Sequence, residues 1–427
     1  MRILLASDYY PPFIGGAHRQ AQLLARGMTE RGHEVAVVTQ WHGGQPQRER
    51  EGEVEIYRVR QLRTAIPALV RSKEQRHQPP FPDPVTVRGI RRAIEEFQPD
   101  LVHAYGWITF SAAVAIGRRK LPLLVSARDY GYFCATRTLL RKEVEPCSGP
   151  APLKCAACAQ DYYGVPKGWV ATAGVYASRP ILARKTTALH SVSTYVQDVT
   201  SHYLFGNDGV PDGVLRMTIP SFQNISPADA VDRESPEVAA VLEKLPAEPF
   251  ILFVGAFRKI KGLETLFDAY ARLDSPPPLV LMGTYERDSP ESFPPEAVIL
   301  TDVPHAAVMA AWDRALFGAM PSLLPEPFGA TVAEAMNRGR PVVGSQLGGH
   351  VDMIDDSAGI LVPQGDVAAL TEALRVMIED PERREAYARQ AAIRANDFAA
   401  PSILPRFEQA YRDVIAAGAR TGPAPAG

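Results

Sequence analysis

Short apolar runs alternate with amphipathic stretches along most of the chain. The first run stops by residue 6. After a turn, Ala21, Leu23, Leu24, Ala25 and Met28 fall on related faces, which predicts a helix over 17–31. Gly32 and His33 end that pattern and residues 34–39 resume an apolar run, so the opening is a βαβ unit. Further strands are predicted at 54–59, 100–103, 121–126 and 187–190. Continuous rather than alternating apolar runs describe a parallel sheet covered by helices on both faces. The stretch 66–86 breaks the pattern with Pro67, Pro79, Pro80, Pro82 and Pro84. So many fixed φ angles predict a mobile loop excursion beside a site mouth.

The pattern starts afresh after about residue 225. Residues 250–254 form a strand, 263–273 a helix, and 279–282, 297–300, 315–318, 341–343 and 359–362 later strands. Helices are predicted at 367–378 and 382–394, and at 402–416, where Ile403, Leu404, Phe407, Tyr411, Val414 and Ile415 recur with helical period. The α/β reading is two Rossmann-like domains, 1–220 and 221–398, with the ligand in the cleft between them beyond the C-terminal strand ends. Residues 399–418 are expected to pack back on the first domain, and 419–427 to be a disordered tail.

Composition narrows the class. A chain of 427 residues has room for two or three domains; 46% hydrophobic and 22% charged residues exclude intrinsic disorder, and four cysteines exclude a disulfide scaffold. The net charge of −2 gives no reason to expect nucleic acid as partner, yet residues 1–220 carry 28 Lys+Arg against 19 Asp+Glu while 221–427 carry 18 against 29. The basic half suits phosphates, an acidic acceptor or an anionic membrane surface, the plain alternative being an ordinary solvated face. The opening run is too short for a signal-peptide core or a span, and no later stretch reaches eighteen apolar residues. A cytoplasmic location follows as the expectation, with membrane contact at most peripheral on the inner face.

Three segments carry candidate chemistry. In 325–336, Pro327 suits a first helical turn and Gly329 lets a ligand approach the backbone, so a helix from about 329 would aim its free amides at an anion. Glu326 and Glu334 flank that site as a pair able to grip vicinal hydroxyls; two solvated glutamates are the bland alternative. In 255–262, Arg258, Lys259 and Lys261 leave a buried strand, where cations would neutralise a diphosphate and stabilise a leaving phosphate. At 11–16, Gly15 and Gly16 join the first strand to the first helix with a bare backbone, without the G-x-G-x-x-G spacing of a dinucleotide site. Gly348 and Gly349 offer a similar turn.

These segments, with Arg31-Gly32-His33-Glu34-Val35, Pro321-Ser322 and Gly339-Arg340-Pro341-Val342-Val343, resemble the GT-B family of retaining, nucleotide-sugar-dependent glycosyltransferases called family 4. The likeness spans nearly the whole chain, is stronger on the donor side, and implies two Rossmann-like domains facing across a deep cleft. It implies that Glu326 contacts the transferred sugar, that Glu334 holds the nucleotide ribose, and that Lys261 binds the diphosphate with Gly16 and the Phe328 and Gly329 amides. It implies a UDP-, GDP-, ADP- or dTDP-sugar donor, a small-molecule, saccharide or lipid-linked hydroxyl acceptor, and no metal or other cofactor in the chemistry. Natural-product or cell-envelope biosynthesis is the matching biological setting.

Two positions depart from the family pattern. Ala256 stands where an arginine is usual, leaving Arg258 to supply that charge, and Arg128-Asp129 stands where His-Asp is common. An arginine there clamps an anion but is no base at neutral pH. His18 and His103 are the substitutes to consider, His18 against a surface or helix-cap role and His103 at the end of a strand, where cleft residues collect. These departures also motivate a rival reading, a non-catalytic GT-B scaffold or regulator. Cys134, Cys147, Cys155 and Cys158 fall within one insertion at 130–165, and zinc, a disulfide or redox pair, and reduced thiols are all open readings.

Overall fold

The structure is a computed structural model that describes residues 1–12, 16–65, 78–142, 144–206, 209–222 and 231–420. It divides into two compact units. The first comprises Met1–Glu143, Cys147–Gln223 and Ile403–Gly427; the second comprises Asn224–Ser402 with Val144–Pro146.

In the first unit, the sheet runs in the order Leu215–Thr218, Ala188–Ser191, Leu123–Ala127, Leu101–Tyr105, Arg2–Ser7, Glu34–Gln40, Val54–Val59, Arg48–Glu51. Every pairing is parallel except that of Arg48–Glu51, the edge strand. Its Arg-Glu-Arg-Glu sequence carries no apolar signal and so escapes a hydropathy reading, while its charges protect an edge from further pairing. The second sheet is all parallel, in the order Val298–Thr301, Leu279–Gly283, Phe250–Val254, Ala315–Met320, Val342–Ser345, Gly359–Val362.

Strand order fixes where a ligand goes. Each sheet reverses its direction of growth beside its first strand: between Arg2–Ser7 and Leu101–Tyr105 in one unit, and between Phe250–Val254 and Ala315–Met320 in the other. Successive connections leave such a point in opposite directions, and a crevice opens beyond the strand ends.

Both the insertion and the Pro-rich loop contain helix. Within the insertion at 130–165 the chain is helical over Pro152–Tyr163, and Gly164, whose φ of 83° ends that helix, joins it to Val165–Lys185. The helices approach closely because Gly168 has no side chain; a Cβ there would lie 2.4 Å from the Gln160 nitrogen. The Pro-rich loop is bounded by Leu62–Ala65 and Pro84–Phe97, so its last residues are helical, and 66–77 lie outside the described residues. Asp83 caps Pro84–Phe97 by accepting from the Val85 and Thr86 amides, and also accepts from Leu62 N at 2.9 Å. Asp83→Ala is expected to cost about 2 kcal/mol, read as a lower urea midpoint with unchanged slope.

The last helix, Ala400–Arg420, runs past the expected end at 418, and the rest of the anticipated tail lies outside the described residues. Its Phe407 and Tyr411 are fully buried beside His103. Arg31 and His33 pair with its Glu408.

Candidate active site

In the second unit, a cavity of about 150 Å³ opens at the switch point, lined among others by Gly255, Lys261, Ser322, Glu326, Gly329 and His350. Three distant sequence segments build it. The chain leaves Phe250–Val254 through Gly255, makes one tight turn at Lys259–Lys261, and turns again at Gly262, whose φ is 76°. Gly262 packs directly on Pro321, where a Cβ would lie 1.8 Å from the carbonyl oxygen. Leu323 N donates to Ile260 O at 2.8 Å, which fixes the basic turn against the 321–328 loop. Gly349 N donates to Glu326 O at 2.7 Å, adding the third segment.

Lys261 Nζ donates to Glu326 Oε1, which also accepts from the Ser322 hydroxyl at 3.2 Å. Burial favours the neutral carboxyl of Glu326, but Lys261, His350 and Ser322 outweigh it, and its pKa is lowered. Burial lowers the pKa of His350 against the pull of Glu326, which favours a neutral imidazole. Gly329 opens the helix Ala330–Asn337 with a φ of 99° and no side-chain cap, leaving the first-turn amides at the cavity wall. A pocket with an ammonium, uncapped amides and a carboxylate suits a phosphate group bearing a hydroxylated substituent.

Glu334 and Arg258 are placed differently. Glu334 is buried further along the helix, its Oε1 3.0 Å from His305 Nε2, and does not line this cavity. Arg258 Nε donates to Asp288 at 2.7 Å and also lies off the cavity. Phe328 is buried against Phe398 and does not line the cavity.

The first unit holds a cavity of about 310 Å³ at its own switch point, lined by Asp8, Tyr105, Ser126, Arg128, Arg137 and Tyr163 among others. Asp8 accepts from the amides of Ile108 at 2.7 Å and Trp107 at 2.9 Å, and faces Arg137 Nη1 at 3.6 Å. Burial raises its pKa despite Arg137 and those amides. Arg137 also pairs with Asp129 at 2.6 Å. Arg128 donates to Ser221 Oγ at 2.8 Å, and burial brings its pKa down to about 10.

His103 is a correction. Its Nδ1 lies 2.9 Å from Tyr411 Oη and its Nε2 2.6 Å from Ser126 Oγ, which in turn meets His190. Burial, with His190 and Arg128 adding to it, lowers its pKa well below the ordinary value. With both nitrogens engaged and the ring absent from the cavity lining, it sits in a buried hydrogen-bond network, which argues against a role as base. Gly15 lies outside the described residues; Gly16 begins the helix Gly16–Glu30, with His18 in its first turn.

The profile of glycosyl transferases group 1 matches residues 235–394, and that of the glycosyl transferase 4-like domain matches 15–202. The chain belongs to this glycosyltransferase family. The glycosyltransferase is 24% identical over 443 residues to glycogen synthase of Mycobacterium tuberculosis, covering 96% of this chain and 94% of that one. Its fold is similar to sucrose-phosphate synthase from Thermosynechococcus elongatus, with TM-score 0.67, 19% identity, and 97% and 99% of the chains covered. It is also similar to Anabaena HepE in complex with UDP, with TM-score 0.60, 18% identity, and 96% and 100% covered. These likenesses establish the GT-B architecture of two sheet-containing domains.

Three polar residues of the glycosyltransferase's cavities were not singled out from sequence. Asp8 follows directly on a buried first strand, a position that marks the end of a strand at a switch point and gave a usable signal. His350 follows the Gly348-Gly349 turn, and Arg137 sits within the insertion; neither has a local pattern. Among the described residues, no helix is long and apolar enough to cross a membrane.

Proposed function

We propose that this glycosyltransferase moves a hexose-type sugar from a nucleoside-diphosphate donor to a hydroxyl acceptor with retention of anomeric configuration. The observation that carries the reading is the Lys261–Glu326 pair at the uncapped start of Ala330–Asn337. Lys261 and the first-turn amides would take the diphosphate, where negative charge develops as the bond from the anomeric carbon to the phosphate oxygen breaks. Glu326, held ionised, would accept hydrogen bonds from sugar hydroxyls. The acceptor oxygen bonds to the anomeric carbon on the face that the diphosphate leaves, and its proton passes to the departing phosphate oxygen. Glu334 would hold the ribose hydroxyls, with His305 displaced or shared. The first-unit cavity, with Asp8, Arg128 and Arg137, would bind the acceptor.

Calorimetric titration with UDP, GDP, ADP and dTDP tests the donor reading. Binding of one of them with clear preference is expected; binding of none would favour the non-catalytic scaffold. Glu326→Ala is expected to lower kcat by about 10²-fold, and Glu334→Ala to weaken nucleotide binding by about tenfold with a smaller effect on kcat. Near-wild-type kinetics for both variants would remove the donor-site model. The anomeric configuration of the product, read by proton NMR, tests retention directly.

A further inference from the structure

The helical arm of the first unit's insertion has little apolar interior of its own: Pro152–Tyr163 buries Ala156 and Ala159. Its interior cluster is Ala135, Ala159, Ala171 and Val175, with Tyr163 packed against it. Tyr130, Tyr132, Phe133, Leu139 and Leu140 anchor the start of the insertion in the core, whereas along its helical arm and the helix that follows Leu153 is 79% exposed, Val165 62%, Val170 54% and Trp169 49%. The buried residues of this arm are small and offset little of the entropy of ordering it, a deficit that small folds make up with a covalent or metal crosslink.

All four cysteines of the chain meet inside this insertion. Cys134, Cys147, Cys155 and Cys158 line one cavity of about 20 Å³, a volume suited to an ion and too small for an organic ligand. Cys155 and Cys158 stand three residues apart on Pro152–Tyr163, and so share a helix face. Backbone amides already serve two of the sulfurs: Lys142 N donates to Cys158 Sγ at 3.2 Å, and Ala151 N to Cys155 Sγ at 3.3 Å. Such donors support thiolate ligands from outside the coordination sphere. Arg141 and Lys154 line the same cavity and bring positive charge to it.

We propose that Cys134, Cys147, Cys155 and Cys158 bind one zinc ion in a structural site that fixes the insertion. Four thiols give up four protons to form a tetrathiolate of net charge −2, which Arg141 and Lys154 offset. In the thiol form the structure describes, Cys147 and Cys158 direct their S–H groups to the carbonyls of Gly149 and Leu140, both at 3.5 Å. As so placed, no three described His, Cys, Asp or Glu side chains converge on a common ion. Deprotonation removes those two donors and lets the sulfurs turn toward the shared cavity.

The site would also set one wall of the first-unit cavity. Cys134 precedes Thr136 and Arg137, and Pro152–Tyr163 carries Tyr162 and Tyr163, all four of which line that cavity. This second role rests on the acceptor reading above; the metal itself does not.

The test is metal analysis of the full chain, expressed with zinc and dialysed without chelator. About one zinc per chain is expected, released by a mercurial thiol reagent in the unaltered protein and lost in Cys155→Ser and Cys158→Ser. Cobalt in place of zinc should give the charge-transfer and visible bands of a tetrahedral thiolate site, which needs no variant to fold. Four freely titrating thiols without metal, two titrating thiols marking a disulfide, or an iron–sulfur chromophore would each overturn the proposal. With the zinc chelated, acceptor KM should rise several-fold while nucleoside-diphosphate affinity is unchanged; an unchanged acceptor KM would overturn the wall role alone.

Discussion

Lys261→Ala is expected to lower turnover by about 10²–10³-fold and to weaken nucleoside-diphosphate binding by at least about tenfold. The lysine is the cation that faces the cavity from the basic turn, since Arg258 is engaged with Asp288 and Lys259 pairs with Glu264 at the surface. The substitution also uncovers Glu326. In the unaltered protein, Lys261 heads the groups that overcome burial and lower the carboxyl's pKa. A carboxyl with a lowered folded pKa contributes stability that is fully present above its unfolded value and is lost as pH falls through the folded value. Without Lys261, burial dominates and that dependence should shrink or reverse, so that the variant loses stability as pH rises through the carboxylate range. Thermal melts of both proteins between about pH 4 and 8 measure this. Identical pH profiles together with unchanged nucleotide affinity would show that Lys261 is only a surface cation.

Gly262→Ala should be the most destructive single methyl group beside the second-unit cavity. Gly262 combines a φ of 76° with a Cβ position 1.8 Å from the Pro321 oxygen, a backbone atom that cannot swing aside. The left-handed conformation alone costs an alanine about 1 kcal/mol, and displacing the 321–328 loop adds several more, for about 3 kcal/mol or above in total. Gly52→Ala provides the comparison, because its φ is 58° and nothing lies within 4 Å of its Cβ position. The Gly262 variant is expected to lose far more denaturant stability than the Gly52 variant, and to lose nucleotide binding with it, because the same loop carries Ser322 and Glu326. Equal losses for the two variants would mean that the basic turn does not depend on its seat against Pro321.

The two predictions differ in how far the sequence anticipates them. Lys261 and Glu326 stand out on chemistry alone, as a cation after a buried strand and a carboxylate before a glycine-led helix. The strands do as well: Phe250–Val254 forms over the residues its apolar run marks, because a parallel strand buried on both faces leaves an unbroken hydrophobic record. The charged edge strand Arg48–Glu51 leaves none, being held by its neighbour's backbone and by ion pairs such as Arg48–Glu55 and Arg26–Glu51, not by an apolar face. The insertion misleads in a similar way. Its cysteines draw attention and no helix is predicted there, whereas Pro152 starts a helix, Gly164 ends it and Gly168 lets the next helix pack on it.

Sequence alone determined the α/β class, the repeated strand-helix order and the residue types able to meet a diphosphate, since periodicity and local chemistry are properties of neighbouring positions. Only the tertiary structure decided which of those residues share a cavity. It joined Lys261, Glu326 and His350 through backbone contacts between segments up to ninety residues apart, and turned Glu334 toward His305. It sealed His103 into a core network with Tyr411, more than three hundred residues away, and set Asp8 against Arg137. Such pairings depend on strand order and on close approach at glycines, and neither leaves a periodic trace along the chain.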